Sequence, residues 1–280
     1  MATQAEKGQA FRALHEGESA FIIPNPWDVG TAKLLAYLGF KALATTSAGY
    51  AFSIGQPDFG VGRERMLAHV AQIAAATDLP VSADLENCFG DDPETVAETI
   101  RMAAATGIVG GSVEDGSTRP DDPIYDFGLS VERVRAAVEA ARALPFTFTL
   151  TARAENYLNG RHDLADTIKR LQAYQEAGAD VLYAPGLTSK ADIAAVVSSL
   201  DRPVNVLTSG GMKLNLAELG GLGVKRVSVG SSLNRAALGL FLRAAKEMQE
   251  HGTFGFVDDG APYKQISDIF AAGQVLLKAE

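Results

Sequence analysis

The stretch Val81-Ser82-Ala83-Asp84-Leu85-Glu86 is a short apolar run that breaks into carboxylates, and from Pro93 it is followed by a segment of helical spacing reaching residue 105. Proline suits the first turn of a helix, where its missing N–H is no loss. Reading outward from this unit in both directions, the same order of strand, polar turn and helix recurs. The spacing predicts eight strands, at 20–24, 42–47, 81–84, 111–114, 146–152, 181–184, 204–207 and 226–229. Helical periodicity fills intervening stretches at 31–38, 63–76, 93–105, 131–143, 164–177 and 191–200, and Gly39, Gly107 and Gly178 stand where helices should stop. Regular alternation calls for parallel pairing. A doubly wound open sheet is the competing arrangement, but eight units without a strong linker favour an α/β fold of the closed TIM-type (β/α)8 kind, which needs about 250 residues as one unit. The 280 residues therefore read as one domain, with the barrel over 18–250 and a helical extension over 251–280. A last helix is expected at 263–277, outside the eight units. Its apolar face must cover the barrel or a second copy of the chain.

Composition narrows the function. The formal charge of -9 and the absence of a basic run exclude nucleic acid as an expected partner. No stretch offers about 18 consecutive apolar residues, so no membrane span is expected. Cys88 is the single cysteine and cannot form an internal disulfide, and no apolar run follows a basic start. A cytoplasmic protein is the expectation.

Barrel enzymes carry their reactive groups at the carboxyl ends of the strands. Here those ends hold Asn25, Trp27 and Asp28; Ser47, Ala48 and Gly49; Asp84 and Glu86; Glu114 and Asp115; Arg153 and Glu155; Asn205; and Ser231. Asp84 and Glu86 are two apart in extended chain and point to the same side, and Glu114 ends the next strand. Three converging carboxylates repel one another unless a cation neutralises them, and oxygen-only ligation points to Mg2+ or Mn2+ over zinc. The alternative is that these acids cap helices or pair with Arg153. Arg153 itself can bind a substrate carboxylate or a developing oxyanion, or it can form an ion pair with Glu155 or Glu114. Trp27 reads as a wall of the substrate site. Cys88 has no base at useful spacing and reads as a loop thiol without catalytic work. The glycines of Gly210-Gly211 and Gly230 follow the last two strands, where many barrels hold a phosphate, but they complete no phosphate-binding fingerprint.

Six ordered segments carry a further reading: Pro24-Asn25-Pro26-Trp27-Asp28, Thr45-Thr46-Ser47-Ala48-Gly49, Ala83-Asp84-Leu85-Glu86, Val113-Glu114-Asp115, Thr151-Ala152-Arg153 and Pro203-Val204-Asn205-Val206. Through them the chain resembles the isocitrate lyase and phosphoenolpyruvate mutase superfamily over nearly its whole length. The resemblance implies a Mg2+-dependent site for an α-oxo carboxylate, with Asp84 as direct ligand and Asp58, Glu86 and Glu114 holding metal-bound waters. It implies that backbone groups of Ser47, Ala48 and Gly49 bind the substrate carboxylate, with Arg153 and Asn205 nearby, and it adds Asp58, which spacing alone does not select. Arg153 and Glu114 are the expected catalytic groups. Members of the family are often tetramers that exchange their last barrel helix, so a homo-oligomer, dimer or tetramer, is expected here.

The loop after the fourth strand departs from the family. It reads Glu114-Asp115-Gly116-Ser117-Thr118-Arg119-Pro120-Asp121-Asp122-Pro123-Ile124-Tyr125-Asp126 and lacks both the Lys-Lys/Arg-Cys-Gly-His segment of the lyases and the Glu-Asp-Lys start and downstream Asn of the mutases and phosphonopyruvate hydrolases. Ser117, Arg119 and Tyr125 are its candidate polar contributors. The expected function is a Mg2+-dependent carbon–carbon lyase or decarboxylase acting on a small α-oxo or 2-hydroxy dicarboxylate through a pyruvate-like enolate. The alternatives are mutase or hydrolase chemistry on phosphoenolpyruvate or phosphonopyruvate, and a non-catalytic α-oxo acid binder.

Overall fold

A computed structural model of the protein describes residues 2–208 and 210–271. Its first element is α1 (Gln4–Glu16), opened by a capping box in which Thr3 and Glu6 satisfy each other's backbone N–H. Then follow β1 (Phe21–Ile23), α2 (Val29–Tyr37), β2 (Leu43–Ala44), α3 (Ser47–Ser53), α4 (Arg63–Ala76), β3 (Val81–Asp84) and α5 (Pro93–Ala104). The middle of the chain gives β4 (Gly110–Glu114), a two-stranded hairpin of β5 (Gly116–Arg119) and β6 (Asp122–Ile124), α6 (Phe127–Arg142), β7 (Thr149–Arg153) and α7 (Leu164–Glu176). The remainder is β8 (Val181–Tyr183), α8 (Lys190–Ser198), β9 (Val204–Leu207), α9 (Leu216–Gly221), β10 (Arg226–Ser228), α10 (Ser232–His251), a 3-10 turn (Gly255–Asp259) and α11 (Tyr263–Ala271).

Eight strands pair in parallel in the order β1-β10-β9-β8-β7-β4-β3-β2, which is the expected (β/α)8 barrel. Ring closure between β1 and β2 is thin. The Ala44 N–H donates to the Pro24 carbonyl at 3.1 Å, and the Asn25 side chain does the rest. Asn25 Nδ2 donates to the Thr45 carbonyl at 3.0 Å, while its Oδ1 accepts from the Val229 and Gly230 N–H groups at 2.9 Å each. The main core lies between strands and helices, where Val70, Ile73, Ile100, Leu150, Leu171 and Leu182 are fully buried.

α1 closes the amino end of the barrel. Gln4 Nε2 donates to the Ala104 and Ile108 carbonyls at 2.8 Å each, Lys7 Nζ reaches the Thr77 carbonyl at 3.1 Å, and Phe11 packs with Ile23, Ala42 and Val109. Gly8 permits this approach, since a Cβ there would stand 2.3 Å from the Thr147 carbonyl oxygen.

Three expectations change. The second strand is only Leu43–Ala44, because the Thr46 side chain accepts the Gly49 N–H and starts α3 at Ser47. The fifth barrel strand begins at Thr149 rather than at 146. The loop after Glu114 is a tied hairpin. Of the expected last helix, Tyr263–Ala271 is helical and the remainder lies outside the described residues. Among the described residues no helix is long and apolar enough to cross a membrane.

Candidate active site

At the carboxyl ends of the strands a cavity of about 170 Å3 runs down into the barrel. Asn25, Ser47, Ala48, Asp58, Asp84, Arg153 and Asn205, all selected from sequence, line it. Trp27 and Gly49 are not part of that lining and lie against each other: a Cβ on Gly49 would meet the Trp27 Cβ at 3.3 Å. The Gly49 N–H is taken by Thr46 Oγ1 and the Ser47 N–H by Asp84, so Ala48 is the residue of the three whose amide carries no such bond.

Asp84 ends β3 and is held from two sides. Ser47 donates its N–H and its hydroxyl to Oδ2 at 3.1 and 3.0 Å, and Arg153 Nη1 donates to Oδ1 at 2.9 Å. Arg153 ends β7, where strand pairing sets it beside Glu114 of β4. Its guanidinium also meets Glu114 Oε2 at 3.1 Å and Glu155 Oε1 at 2.9 Å. The ion-pair alternative for Arg153 is thus realised, and with Asp84 included. Burial alone would lower the Arg153 pKa, but Glu114, Glu155 and Asp84 reverse this and hold it well above the ordinary value. Burial raises Glu114 and Glu155, against the pull of Arg153.

Among the described residues no three His, Cys, Asp or Glu side chains group as a ready-made cage for a metal ion. The carboxylates surround a guanidinium instead. Glu86 remains apart: it sits in the left-handed region at φ 53, is 3% exposed, and its Oε1 is buried without a hydrogen-bond partner. Burial, then Asp84 and Asp58, push its pKa up to about 8. Asp58 is raised by burial and by Asp84. An orphaned carboxyl oxygen beside two further acids fits a divalent cation with oxygen donors.

The hairpin contributes no side chain to this cavity. The Ser117 hydroxyl donates to the Asp122 carbonyl, the Tyr125 hydroxyl donates to Asp91 Oδ1 at 2.6 Å, and Arg119 pairs with Asp91 at 2.6 Å. The Tyr125 ring is flanked by the guanidinium groups of Arg133 at 4.2 Å and Arg119 at 5.3 Å. Beneath it Asp115 ties the end of β4 to β7 and α7, accepting from the Glu155 N–H at 2.7 Å, Tyr174 at 2.6 Å and Arg170 at 3.0 Å. Cys88 is fully buried, and burial pushes its thiol up to about 12, away from the reactive thiolate form. Sequence reading missed Ser82, Ser112, Tyr183, Arg226 and Ser228, which also line the cavity. Their signal is inward alternation along the strands, readable only once register is known.

A parallel β/α barrel with a charged cavity at the carboxyl ends of its strands defines a barrel enzyme. The chain belongs to the isocitrate lyase and phosphoenolpyruvate mutase superfamily: the family model for phosphoenolpyruvate phosphomutase matches residues 11–249. A crystal structure of a candidate lyase/mutase from Burkholderia cenocepacia is 64% identical, with a TM-score of 0.94 over 96% of each chain. An uncharacterized protein of Mycobacterium tuberculosis is 34% identical over 86% of this chain and 89% of its own. The 2-methylisocitrate lyase of Escherichia coli is 30% identical over 70% of this chain and 68% of its own.

Proposed function

We propose that the protein is a Mg2+-dependent carbon–carbon lyase or decarboxylase that acts on a small α-oxo or 2-hydroxy dicarboxylate through a pyruvate-like enolate. The carrying observation is the pairing of Asp84, immobilised by Ser47 and Arg153, with Glu86, whose buried oxygen has no partner. In this reading Asp84 would hold the metal, with Asp58, Glu86 and Glu114 completing the acidic shell around it. A bound Mg2+ would supply the positive charge that polarises the C2 carbonyl of the substrate. Arg153 fixes the Asp84 carboxylate and spreads positive charge toward the cavity, where an oxyanion develops as the bond at C3 breaks. For an α-oxo substrate such as oxaloacetate the bond from C3 to its carboxylate breaks and CO2 leaves. The electron pair forms the C2=C3 bond of the enolate as the carbonyl pair moves onto the C2 oxygen, and C3 then takes a proton. For a 2-hydroxy acid the hydroxyl loses its proton, the C2–C3 bond breaks to give a C2 carbonyl, and the pair passes to the departing fragment, which is then protonated.

The tied hairpin favours decarboxylation over reactions that need an acid from the loop after β4. Ser117, Arg119 and Tyr125 are all engaged in holding the hairpin, so C3 receives its proton from solvent. Asn205 presents its amide toward the cavity with both ends anchored, Nδ2 on Ser228 and Oδ1 on Arg226. Such a fixed amide suits a substrate oxygen. The exposed apolar side chains of α10, including Phe241 and Leu242, support a homo-oligomer.

Purified protein with Mg2+ is expected to release pyruvate from a panel that includes oxaloacetate and methylisocitrate, read through lactate dehydrogenase. Asp84→Ala should abolish the release. No pyruvate from any member, or equal release by Asp84→Ala, would overturn the reading. Phosphorus NMR of phosphoenolpyruvate and phosphonopyruvate after incubation tests the rival phosphorus–carbon chemistry, for which an unchanged spectrum is expected.

A further inference from the structure

The two arginines that line the cavity are in opposite electrostatic situations. Arg153 faces three carboxylates. Arg226, at the start of β10, is 5% exposed and has neutral partners: Nε donates to Asn205 Oδ1 at 2.9 Å, Nη2 to Thr151 Oγ1 at 3.0 Å, and Nη1 meets His15 Nε2 at 3.4 Å. Among the described residues no carboxylate pairs with it. Burial lowers its pKa to about 10, still far above neutrality, so it is a cation inside the barrel. A buried charge is ordinarily paired, because leaving water without a counter-ion costs several kcal/mol.

The surroundings of Arg226 are as unusual as its charge. Barrel interiors are ordinarily filled by bulky branched side chains. Here the cavity that Arg226 lines is shared mostly by small or hydroxylic residues, among them Ala44, Ser82, Ser112 and Ser228, with Ile23, Tyr183 and Leu207 as its bulkier members. The three contacts use three of the five N–H groups of an arginine, so two remain for a ligand. An open polar well that ends on an unpaired cation is built for an anion small enough to enter the barrel.

We propose that Arg226 is the counter-ion of a substrate carboxylate, and that it, with Asn205 fixed by its Nε, decides which acids enter the cavity. Arg153 differs in that its charge is shared among three acids, whereas that of Arg226 is not. The inference deepens the reading of the site as one for a small anionic acid and rests on that reading.

The test is oxalate binding in the presence of EDTA, so that no metal contributes, followed by calorimetry and by the fluorescence of Trp27, the single tryptophan. Wild type should bind and Arg226→Met should bind at least about tenfold more weakly, as for loss of one partner of a buried charge pair. Arg226→Lys keeps the charge without the planar fork and should fall between them; it serves alone if the methionine variant fails to fold by circular dichroism. In turnover with Mg2+, Arg226→Met should raise KM more than it lowers kcat. No oxalate binding by wild type, or affinities of both variants within about twofold of wild type, would overturn the inference. If oxalate binding depends on Arg226 but no Mg2+-dependent turnover exists, the catalytic reading fails and this one stands. If turnover exists and KM and oxalate affinity ignore Arg226, this inference alone fails.

Discussion

Replacing Arg153 by methionine removes the one cation that three acids share. The side chain is 13% exposed, Glu114 is 3% exposed, and the three contacts measure 2.9 to 3.1 Å. Removing one partner of a buried ion pair costs about 3–5 kcal/mol, mainly because the other partner is left uncompensated. The three contacts do not add, since the freed carboxylates can take up protons or water once their neighbour is gone. We therefore expect a loss of about 3–5 kcal/mol in all. Over 280 residues an unfolding entropy of roughly 2.1 cal/mol/K per residue gives about 0.6 kcal/mol/K, so Tm should fall by about 5–9 °C. Urea unfolding followed by circular dichroism at neutral pH measures the first quantity and calorimetry the second. Glu155→Gln leaves Arg153 with Asp84 and Glu114, and should cost only about 1–2 kcal/mol. In the double variant one of the stranded acids is gone, so it should be more stable than the sum of the two losses predicts. Arg153→Met within about 1 kcal/mol of wild type, or a double variant that is strictly additive, would refute the account of Arg153 as the shared counter-charge.

Burial, and then Arg226, lower the His15 pKa to about 3, below the ordinary value of 6.5, so the fold holds it neutral. The unfolded chain binds that proton below pH 6.5 and the fold does not, so stability is complete above 6.5 and is lost as pH falls toward 3. Between pH 7 and pH 5 wild type should lose about 2 kcal/mol more than His15→Gln in urea titrations, and parallel pH profiles would exclude this. Tyr125→Phe keeps the ring between two arginines but loses the bond to Asp91; a cost of about 1–2 kcal/mol and faster proteolysis within 116–124 are expected, with turnover retained. Loss of turnover in that variant would make Tyr125 an acid after all. Gly8→Ala forces a methyl against the Thr147 carbonyl and should destabilise by about 1–3 kcal/mol in a thermal melt, whereas a neutral effect would mean α1 is not docked as described. Light scattering should find wild type larger than a monomer, and Phe241→Asp with Leu242→Asp should shift it toward monomer; a monomeric wild type would remove the oligomer reading.

The barrel was legible because period and punctuation agree in each unit: Pro93 opens a helix at its first turn, and Gly107 and Gly178 end helices at φ 96 and 104. The carboxylates at strand ends were legible for the same reason, since a polar residue that closes an apolar run must sit at the mouth. The hairpin was not. Gly, Pro and Asp dominate 116–124, and the hairpin is tied from another segment by Asp91, which holds Arg119 and the Tyr125 hydroxyl and whose own carbonyl is fixed by Arg133, rather than by any local pattern. α1 was not read either: Thr3 and Glu6 mark its start, but it has little apolar periodicity, because it contacts the barrel mainly through Gly8, Phe11 and His15. Arg226 was hidden most deeply. A charged residue at the start of a short run reads as a surface boundary, and only the pairing of Arg226 with Asn205 and Phe21 turns it inward.

Asn25 carries a consequence for how the barrel deforms. Seven of the strand junctions are stitched by backbone ladders, whereas the eighth depends on the Ala44 amide and one side-chain amide. A hoop with a single thin joint yields at that joint, so any widening of the mouth is steered to the gap between β1 and β2. Trp27 and Ser47 flank that gap in sequence on either side, which couples the give of the hoop to the grip on Asp84 and makes the emission of the lone tryptophan a gauge of it.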